Sequence, residues 1–148
     1  MVAMYDKHGL QFMYPENWSL ATEDDGWPRS ISVESPSGAF WSLHVYFPPA
    51  DPRRLTEDVV KVLRTEYDPL EAQEASEQVG NVTAEGYDVT FFFLDLLITC
   101  HTRGFTLGDK TMVIMTQAED RDFEQLEPVF RAITVSLIQN LQSQSGMP

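Results

Sequence analysis

The residue pair best suited to chemistry in this sequence is Cys100-His101, a thiol followed directly by an imidazole. A cysteine becomes a strong nucleophile when a base lies next to it, and histidine is the usual base. The surrounding residues are rich in Leu, Ile and Thr, which predicts a β-strand. Because consecutive side chains of a strand point to opposite faces, these two side chains diverge. We therefore predict a buried, unreactive Cys100 and no cysteine-based catalysis.

Three other chemical patterns fail on their spacing. The segment Gly104–Thr111 is superficially similar to a phosphate-binding loop, but its spacing differs by one residue and it joins two predicted strands. Acids at positions 120, 122 and 124 imitate a calcium loop, yet Gln125 and Arg131 occupy the positions that require Gly and Glu. The three histidines lie far apart and none is one helical turn from a carboxylate. We predict no catalytic residues, no metal ion and no cofactor.

A candidate binding surface comes from polar and aromatic residues on two predicted strands. His44 and Tyr46 share one face of their strand, and His101 and Arg103 share one face of another. If these faces coincide, one side of the sheet is incompletely covered, with Trp27 at its rim. Such a surface suits a protein or peptide partner. The alternative is that helices cover this face and that the five residues are ordinary sheet packing.

The net charge of −13, from 10 basic and 23 acidic residues, restricts the partners. Nucleic acids and anionic membrane surfaces are bound through Lys and Arg, so this chain is predicted to bind neither. From Glu66 to Asp88 there are seven acids and no Lys or Arg. If the protein has a basic partner, we predict that it meets this segment at Glu71, Glu74 and Glu77. The alternative is that the acids serve solubility alone.

The sequence also bears on location. A single cysteine excludes an intrachain disulfide, and the first residues lack the basic and apolar regions of a signal peptide. The longest apolar run, Val89–Cys100, is too short for a membrane span and contains Asp95. We expect a cytoplasmic protein without membrane insertion.

Turn-forming residues divide the chain into short strands and two helices. Asp51-Pro52 caps a first amphipathic helix that ends at Asp68-Pro69, and a second helix follows Asp120, with a loose first turn at Pro128. Residues 70–79 form an edge strand or a loop, and the apolar residues 91–93 suit a central strand covered on both sides. Alternation predicts the remaining strands at 1–5, 10–14, 18–21, 30–34, 39–47, 83–96, 97–107 and 110–118.

Two segments carry a family resemblance. Gly9–Trp18 reads G-hydrophobic-x-F-x-hydrophobic-P-x-x-W, and Asp122–Leu137 ends in F-x-x-I-x-x-S-hydrophobic. In these phrases, and in the order of its elements, the chain resembles the PsbP-like superfamily, which includes Ran-release factors of the Mog type and DcrB-like domains. The resemblance implies an α+β fold, an α/β/α sandwich with a central antiparallel sheet flanked by amphipathic helices. It also implies binding rather than catalysis, and it assigns no site residue.

We accordingly expect one PsbP-like domain over residues 1–138 and a flexible polar tail over 139–148. The leading hypothesis is a non-enzymatic accessory or chaperone-like protein that binds another polypeptide. The second hypothesis is a small-molecule-binding protein or enzyme that uses a pocket near His44 and His101. The third is a structural subunit of a homo-oligomer such as a homodimer.

Overall fold

The computed structural model describes residues 1–145, which form nine strands and two helices. Among these residues, no helix is both long enough and apolar enough to cross a membrane. The elements in chain order are β1 (Val2–Lys7), β2 (Leu10–Pro15), β3 (Ser19–Glu23), β4 (Arg29–Glu34), β5 (Phe40–Tyr46), α1 (Pro52–Glu66), β6 (Leu70–Val79), β7 (Val82–Phe93), β8 (Leu96–Leu107), β9 (Lys110–Glu119) and α2 (Asp120–Ser145).

Seven strands form an antiparallel sheet in the order β3-β4-β5-β9-β8-β7-β6, and β1 and β2 form a separate hairpin. The strands β7, β8 and β9 follow each other as a meander, as their alternating β-branched and aromatic residues predict. Strand β6 lies at one edge of the sheet, which confirms the edge-strand alternative for residues 70–79. The predicted α+β class, with an antiparallel sheet flanked by helices, is confirmed.

Each helix lies on its own face of the sheet. On the α1 face, Val60 of helix α1 packs in one cluster with Val89 of β7. On the α2 face, the Nε1 of Trp41 donates to Oγ1 of Thr134 in helix α2 at 2.9 Å, and its ring lies 4.9 Å from that of Phe12 in the hairpin. Helix α1 covers β6 to β9, whereas α2 packs on β2, β8 and β9. Helix α1 therefore does not pack on β3 to β5, and α2 reaches β6 and β7 through side chains near their turn, such as Arg131.

Helix α1 begins as its sequence predicts. Oδ1 of Asp51 accepts a hydrogen bond from the backbone N–H of Arg53 at 3.0 Å, and Pro52 follows the cap. The helix start approaches β8 closely at Gly104, where an added Cβ would lie 3.0 Å from the Cβ of Pro52 and 3.2 Å from Cγ2 of Thr56. Gly104 is therefore part of the helix–sheet contact rather than of a phosphate loop.

The prediction that residues 91–93 are covered on both sides is wrong. Phe91 is buried, but Phe92 is 61% exposed and Phe93 is 48% exposed. Strand β7 is next to the edge, and these last residues extend beyond the start of β6, which pairs at Leu70 with Phe91. The two residues that follow form the β7–β8 turn with positive φ, and neither is glycine, so no turn signal marked it: they are Leu94 and Asp95.

The second helix is longer and more regular than predicted. It starts at Asp120 and runs through Pro128 without a break. Residues 139–145 are also helical, so the tail predicted from position 139 is wrong over this range, and residues 146–148 lie outside the described part. The hairpin holds this last section, because Nδ2 of Asn140 donates to the carbonyl oxygen of Gln11 at 3.0 Å. The polar composition of the segment therefore reflects a surface helix.

Candidate functional site

The α2 face of β6 and β7 forms one side of a cleft, and helix α2 forms the other. The cleft has a volume of about 610 Å³, within the range of ligand-binding cavities. Its walls combine an apolar floor, including Phe105 and Phe130, with charged side chains on the strands and on the helix. The charged and titratable side chains that line it are Glu77, Asp88, His101, Arg103, Glu124, Glu127 and Arg131.

Arg103 organises the strand side of this cleft. Its Nε donates to Oε1 of Glu77 at 3.0 Å, and its Nη2 donates to Oδ1 of Asp88 at 2.6 Å. Its Nη1 donates to the carbonyl oxygens of Tyr87 and Thr102 at 3.1 and 3.0 Å. The side chain is 13% exposed, so every nitrogen of a largely buried guanidinium has an acceptor. This arrangement holds the strands β6, β7 and β8 together beneath the cleft.

Arg131 connects the same network to helix α2. Its Nη1 donates to Oε2 of Glu77 at 2.8 Å, so that one carboxylate binds two arginines from different elements. Glu127 and Glu124, about one and two helical turns earlier, line the cleft and form no ion pair among the described residues. The cleft thus holds two arginines and four carboxylates, a surplus of two negative charges.

His101 lies at the base of the cleft. Its Nε2 is 3.4 Å from Oδ1 of Asp88, and its ring centroid is 4.5 Å from that of Phe123. Burial lowers the pKa of His101, and Arg103 lowers it further, while the negative charges of Asp88 and Glu127 act in the opposite direction. The ring is therefore predominantly neutral at pH 7 and leaves the negative surplus in place.

The structure places His44 and Tyr46 on one face of the sheet and His101 and Arg103 on the other, although the sequence analysis grouped them together. Across the sheet, His101 pairs with Thr116 and Thr116 pairs with Trp41, so His101 shares the face of Trp41. His44 and Tyr46 alternate with Trp41 along β5 and lie on the opposite face. The expectation of one shared polar face is wrong, and so is a common pocket for His44 and His101. Register, which the sequence did not reveal, decides the face of each strand.

His44 belongs to a different environment, the serine–histidine patch on the α1 face of β4 and β5. Its Nδ1 is hydrogen-bonded to Oγ of Ser30 at 3.0 Å, and its Nε2 to Oγ of Ser42 at 3.3 Å. Burial lowers the pKa of His44, and the nearby Glu23 opposes this shift. Tyr46, on the same face, has a raised pKa because of burial first and Asp58 second.

Trp27 lies apart from both sites. Its ring packs on Phe47 with centroids 5.4 Å apart, and the guanidinium carbon of Arg29 lies 4.4 Å from its centroid. Arg29 pairs with Val45 at the ends of β4 and β5, on the opposite side of the sheet from β6. The predicted role of Trp27 as the rim of the His101 surface is therefore wrong.

The three acids predicted as a partner surface all lie on edge strand β6, but they alternate in direction. Glu71 and Glu77 point to the α2 face, and Glu74 points to the α1 face, because Glu77 pairs with Ala84 and Glu74 with Tyr87. Glu77 is tied to its arginines, whereas Glu71 and Glu74 are exposed and form no ion pair within residues 1–145. The three acids therefore lie along one strand but on two faces of the sheet, and they do not form a single acidic surface.

Two further candidates for chemistry are the cysteine thiol and a metal-binding cluster. Cys100 is buried, as predicted, and burial raises the pKa of its thiol to about 12. Across residues 1–145, no three side chains of the His, Cys, Asp and Glu types are arranged to hold a metal ion. What the arrangement can do is bind charged groups. The cleft residues that sequence reasoning missed are Asp88, Glu124, Glu127 and Arg131, which are distant in sequence and carry no motif.

No protein-family model matches the sequence, and a comparison with curated proteins gives no match. Several solved structures are nevertheless similar to this chain in their fold. The solution structure of cyanobacterial PsbP (CyanoP) from Synechocystis sp. PCC 6803 matches with a TM-score of 0.63 at 13% identity, over 91% of this chain and 90% of that one. The fold is PsbP-like.

Two further structures support the PsbP-like fold. A protein from Bacteroides thetaiotaomicron VPI-5482 matches with a TM-score of 0.59 at 11% identity, over 90% of this chain but only 46% of its own length. LpqN of Mycobacterium tuberculosis, involved in cell envelope biogenesis, matches with a TM-score of 0.51 at 12% identity, over 90% of this chain and 87% of its own. At these identities the likeness establishes the fold alone, and the site must be argued from its own residues.

Proposed function

We propose that this protein is a non-enzymatic binding module, with an accessory or chaperone-like role, that takes up a segment of another polypeptide as an added strand along β6. The observation that carries the proposal is the edge position of this ten-residue strand. An edge strand presents backbone N–H and C=O groups that a further strand can pair with. The opposite edge, β3, has five residues and offers a much shorter template.

The hairpin geometry identifies which backbone groups of β6 point outward. Val79 and Val82 flank a two-residue turn and therefore form a hydrogen-bonded pair. Every second residue back along β6 has the same pairing, so the residues between them direct their backbone groups away from β7. The carbonyl oxygen of Leu70, at one end of the strand, is occupied by Nη1 of Arg64 at 3.1 Å. The outward residues in the middle of the edge are Ala72, Glu74 and Ser76.

Three devices that commonly block a sheet edge, proline, lysine and a β-bulge, are missing from β6. The strand contains no proline and no lysine, and it pairs with β7 residue by residue without a bulge. Its three glutamates discourage self-pairing of two copies, because identical acidic edges repel each other, while they leave a basic or neutral segment free to pair. This combination favours a different polypeptide as the added strand.

The proposal is tested with fluorescein-labelled ten-residue β-prone peptides that carry a central pair of Lys, Gln or Glu. We expect at least one of them to bind and to slow hydrogen exchange of the backbone amides of Ala72, Glu74 and Ser76. Replacement Ser76→Pro removes one outward N–H without touching a bond to β7, and should weaken binding by about tenfold. Ser76→Ala, which keeps the N–H, is the matched control.

A second pair of variants distinguishes weakened peptide binding from a folding defect. Ala72→Pro should also weaken peptide binding, while Ala72→Ser should not, and thermal unfolding reports whether each variant is folded. Binding that both folded proline variants retain would overturn strand addition at β6. So would the absence of amide protection with all three peptides.

A further inference from the structure

Hollows lie on both faces of the β6 edge, and they meet at the same two residues. The cleft on the α2 face is lined at the edge by Ala75 and Ser76. A second hollow, of about 360 Å³, lies on the α1 face between β6 and the start of helix α1, and Ala75 and Ser76 line it as well. A strand added at this point would run between the two hollows.

The second hollow is also negative. Arg53 of helix α1 lies in it and forms a two-pronged ion pair with Glu85, with Nε and Nη2 at 3.1 and 3.2 Å from the carboxylate oxygens. This pair neutralises itself, and it lowers the pKa of Glu85. Glu57 and Glu74 complete the lining and form no ion pair among residues 1–145. The second hollow therefore has a surplus of two negative charges, as the cleft has through Glu124 and Glu127.

The alternation of side chains links the two hollows to one peptide signature. Consecutive residues of an added strand point to opposite faces, so a residue opposite Ala75 would point into the cleft, and its neighbour would point into the second hollow. Each of these side chains would meet two carboxylates without a cation of their own. Lysine and arginine supply the complementary charge on a stem long enough to reach them, and their stems can lie along apolar walls such as Phe130.

We infer that the polypeptide segment bound at β6 carries two adjacent basic residues, one for each hollow. This inference rests on the proposed function, since it names the chemistry of the segment that strand addition would take up. Adjacent positions matter as much as charge. Two basic residues separated by one position would point to the same face, and one hollow would remain without its cation.

The test compares three ten-residue peptides of equal length and β-propensity by fluorescence anisotropy. One carries Lys-Lys at its centre, one carries Lys-Thr-Lys, and one carries Gln-Gln. We expect the adjacent pair to bind about tenfold more tightly than the Gln pair and several-fold more tightly than the separated pair. The two lysine peptides have the same charge, so their difference does not arise from long-range attraction to an acidic protein.

Charge-neutralising variants assign the effect to each hollow. Glu124→Gln with Glu127→Gln acts in the cleft, and Glu57→Gln with Glu74→Gln acts in the second hollow. Each double variant should weaken the Lys-Lys peptide about fivefold and leave the Gln-Gln peptide unchanged. The matched control, Glu16→Gln with Glu34→Gln, makes the same change in net charge at exposed positions away from β6.

The outcomes separate the inference from the function beneath it. If all three peptides bind equally and still protect the β6 amides, strand addition stands and the paired-cation signature is wrong. If the control double variant weakens Lys-Lys as much as the site variants do, overall charge explains the preference and the signature is again wrong. If no peptide protects β6, the proposed function fails first.

Discussion

Two quarters of the sheet, the strands under the cleft and the serine–histidine patch, satisfy their polar groups in different ways. Under the cleft, Arg103 is enclosed by carboxylates and carbonyl oxygens, and a second arginine reaches the same Glu77 from helix α2. In the serine–histidine patch, His44 lies between two hydroxyl groups and has no ion pair within the described residues. The first quarter is a network of full charges and the second is a set of neutral hydrogen bonds.

The difference shows how sheet position controls what a polar residue contributes. A charge that is mostly buried must be paired, and removing one member leaves the others unpaired at considerable cost. A neutral hydrogen bond can be removed for far less. Substitution of a polar residue should therefore lower stability more in the cleft than in the serine–histidine patch.

The largest expected effect lies in the strand beneath the cleft. Gly86 pairs with Arg103 across β7 and β8, and an added Cβ there would overlap the carbonyl oxygen of Thr102. Gly86→Ala should lower the free energy of unfolding by about 3 kcal/mol or more, measured by urea denaturation. Gly104→Ala on β8 is the matched control, since its Cβ meets helix α1 at 3.0 Å or more and should cost about 1–2 kcal/mol. Equal losses would contradict the requirement at Gly86.

The second effect compares the two polar networks directly. Arg103→Met keeps the apolar stem but leaves Asp88 without its arginine and Glu77 with Arg131 alone, and should lower the free energy of unfolding by about 2 kcal/mol. Arg54→Met, at an exposed position of helix α1 with no ion pair in residues 1–145, should change it by less than about 0.5 kcal/mol. If the two variants unfold alike, the cleft network is not structural.

The third effect is a pH dependence that both quarters share. The pKa values of His44 and His101 are lowered in the folded protein, so the unfolded chain binds protons more readily. Their contribution to stability is complete above the ordinary histidine pKa of about 6.5 and is lost as the pH falls through the lowered values. The midpoint temperature of thermal unfolding should therefore decrease as the pH is lowered from about 7.5 to about 5.5.

Histidine variants sharpen that comparison. His44→Gln and His101→Gln should each flatten the dependence of the midpoint on pH. Added salt should change the contribution of His101 more than that of His44, because several charges surround the former and mainly Glu23 the latter. A pH profile that neither variant changes would show that other groups control the acid response.

The smallest effect belongs to the serine–histidine patch. Ser30→Ala removes the hydroxyl that is hydrogen-bonded to Nδ1 of His44, and should lower the free energy of unfolding by about 1 kcal/mol or less. Ser32→Ala, one alternation away on the same strand, removes a half-buried hydroxyl without such a bond and serves as control. A loss as large as that of Arg103→Met would contradict the tolerant character of this patch.

Local patterns predicted much of the secondary structure. The N-cap and proline at Asp51-Pro52, the turn glycines and the alternating strands led to helices and strands close to their observed bounds. Errors arose where local signals mislead. The turn at Leu94-Asp95 contains no glycine, and residues 139–145 are polar yet helical because the hairpin holds them. Neither fact is visible in a short window of sequence.

The candidate site shows the same limit more strongly. Arg103 was recognised as a polar residue on a strand, but Glu77 is 26 residues away from it, and Arg131 is 54 residues from Glu77. Nothing in the composition of those segments links them. The pairing of β6 with β7, and of β7 with β8, brings Glu77 and Arg103 together, and the position of helix α2 brings Arg131 to the same carboxylate.

Composition and periodicity alone therefore specified an acidic α+β domain with an antiparallel sheet, two amphipathic helices and a buried Cys100. These features depend on backbone periods of 2 and 3.6 residues and on turn chemistry, which are local. Tertiary structure decided which face each strand presents, which charges meet, and that β6 is an edge between two negative hollows. Those outcomes depend on register and strand order, which are set by contacts between residues far apart in the chain.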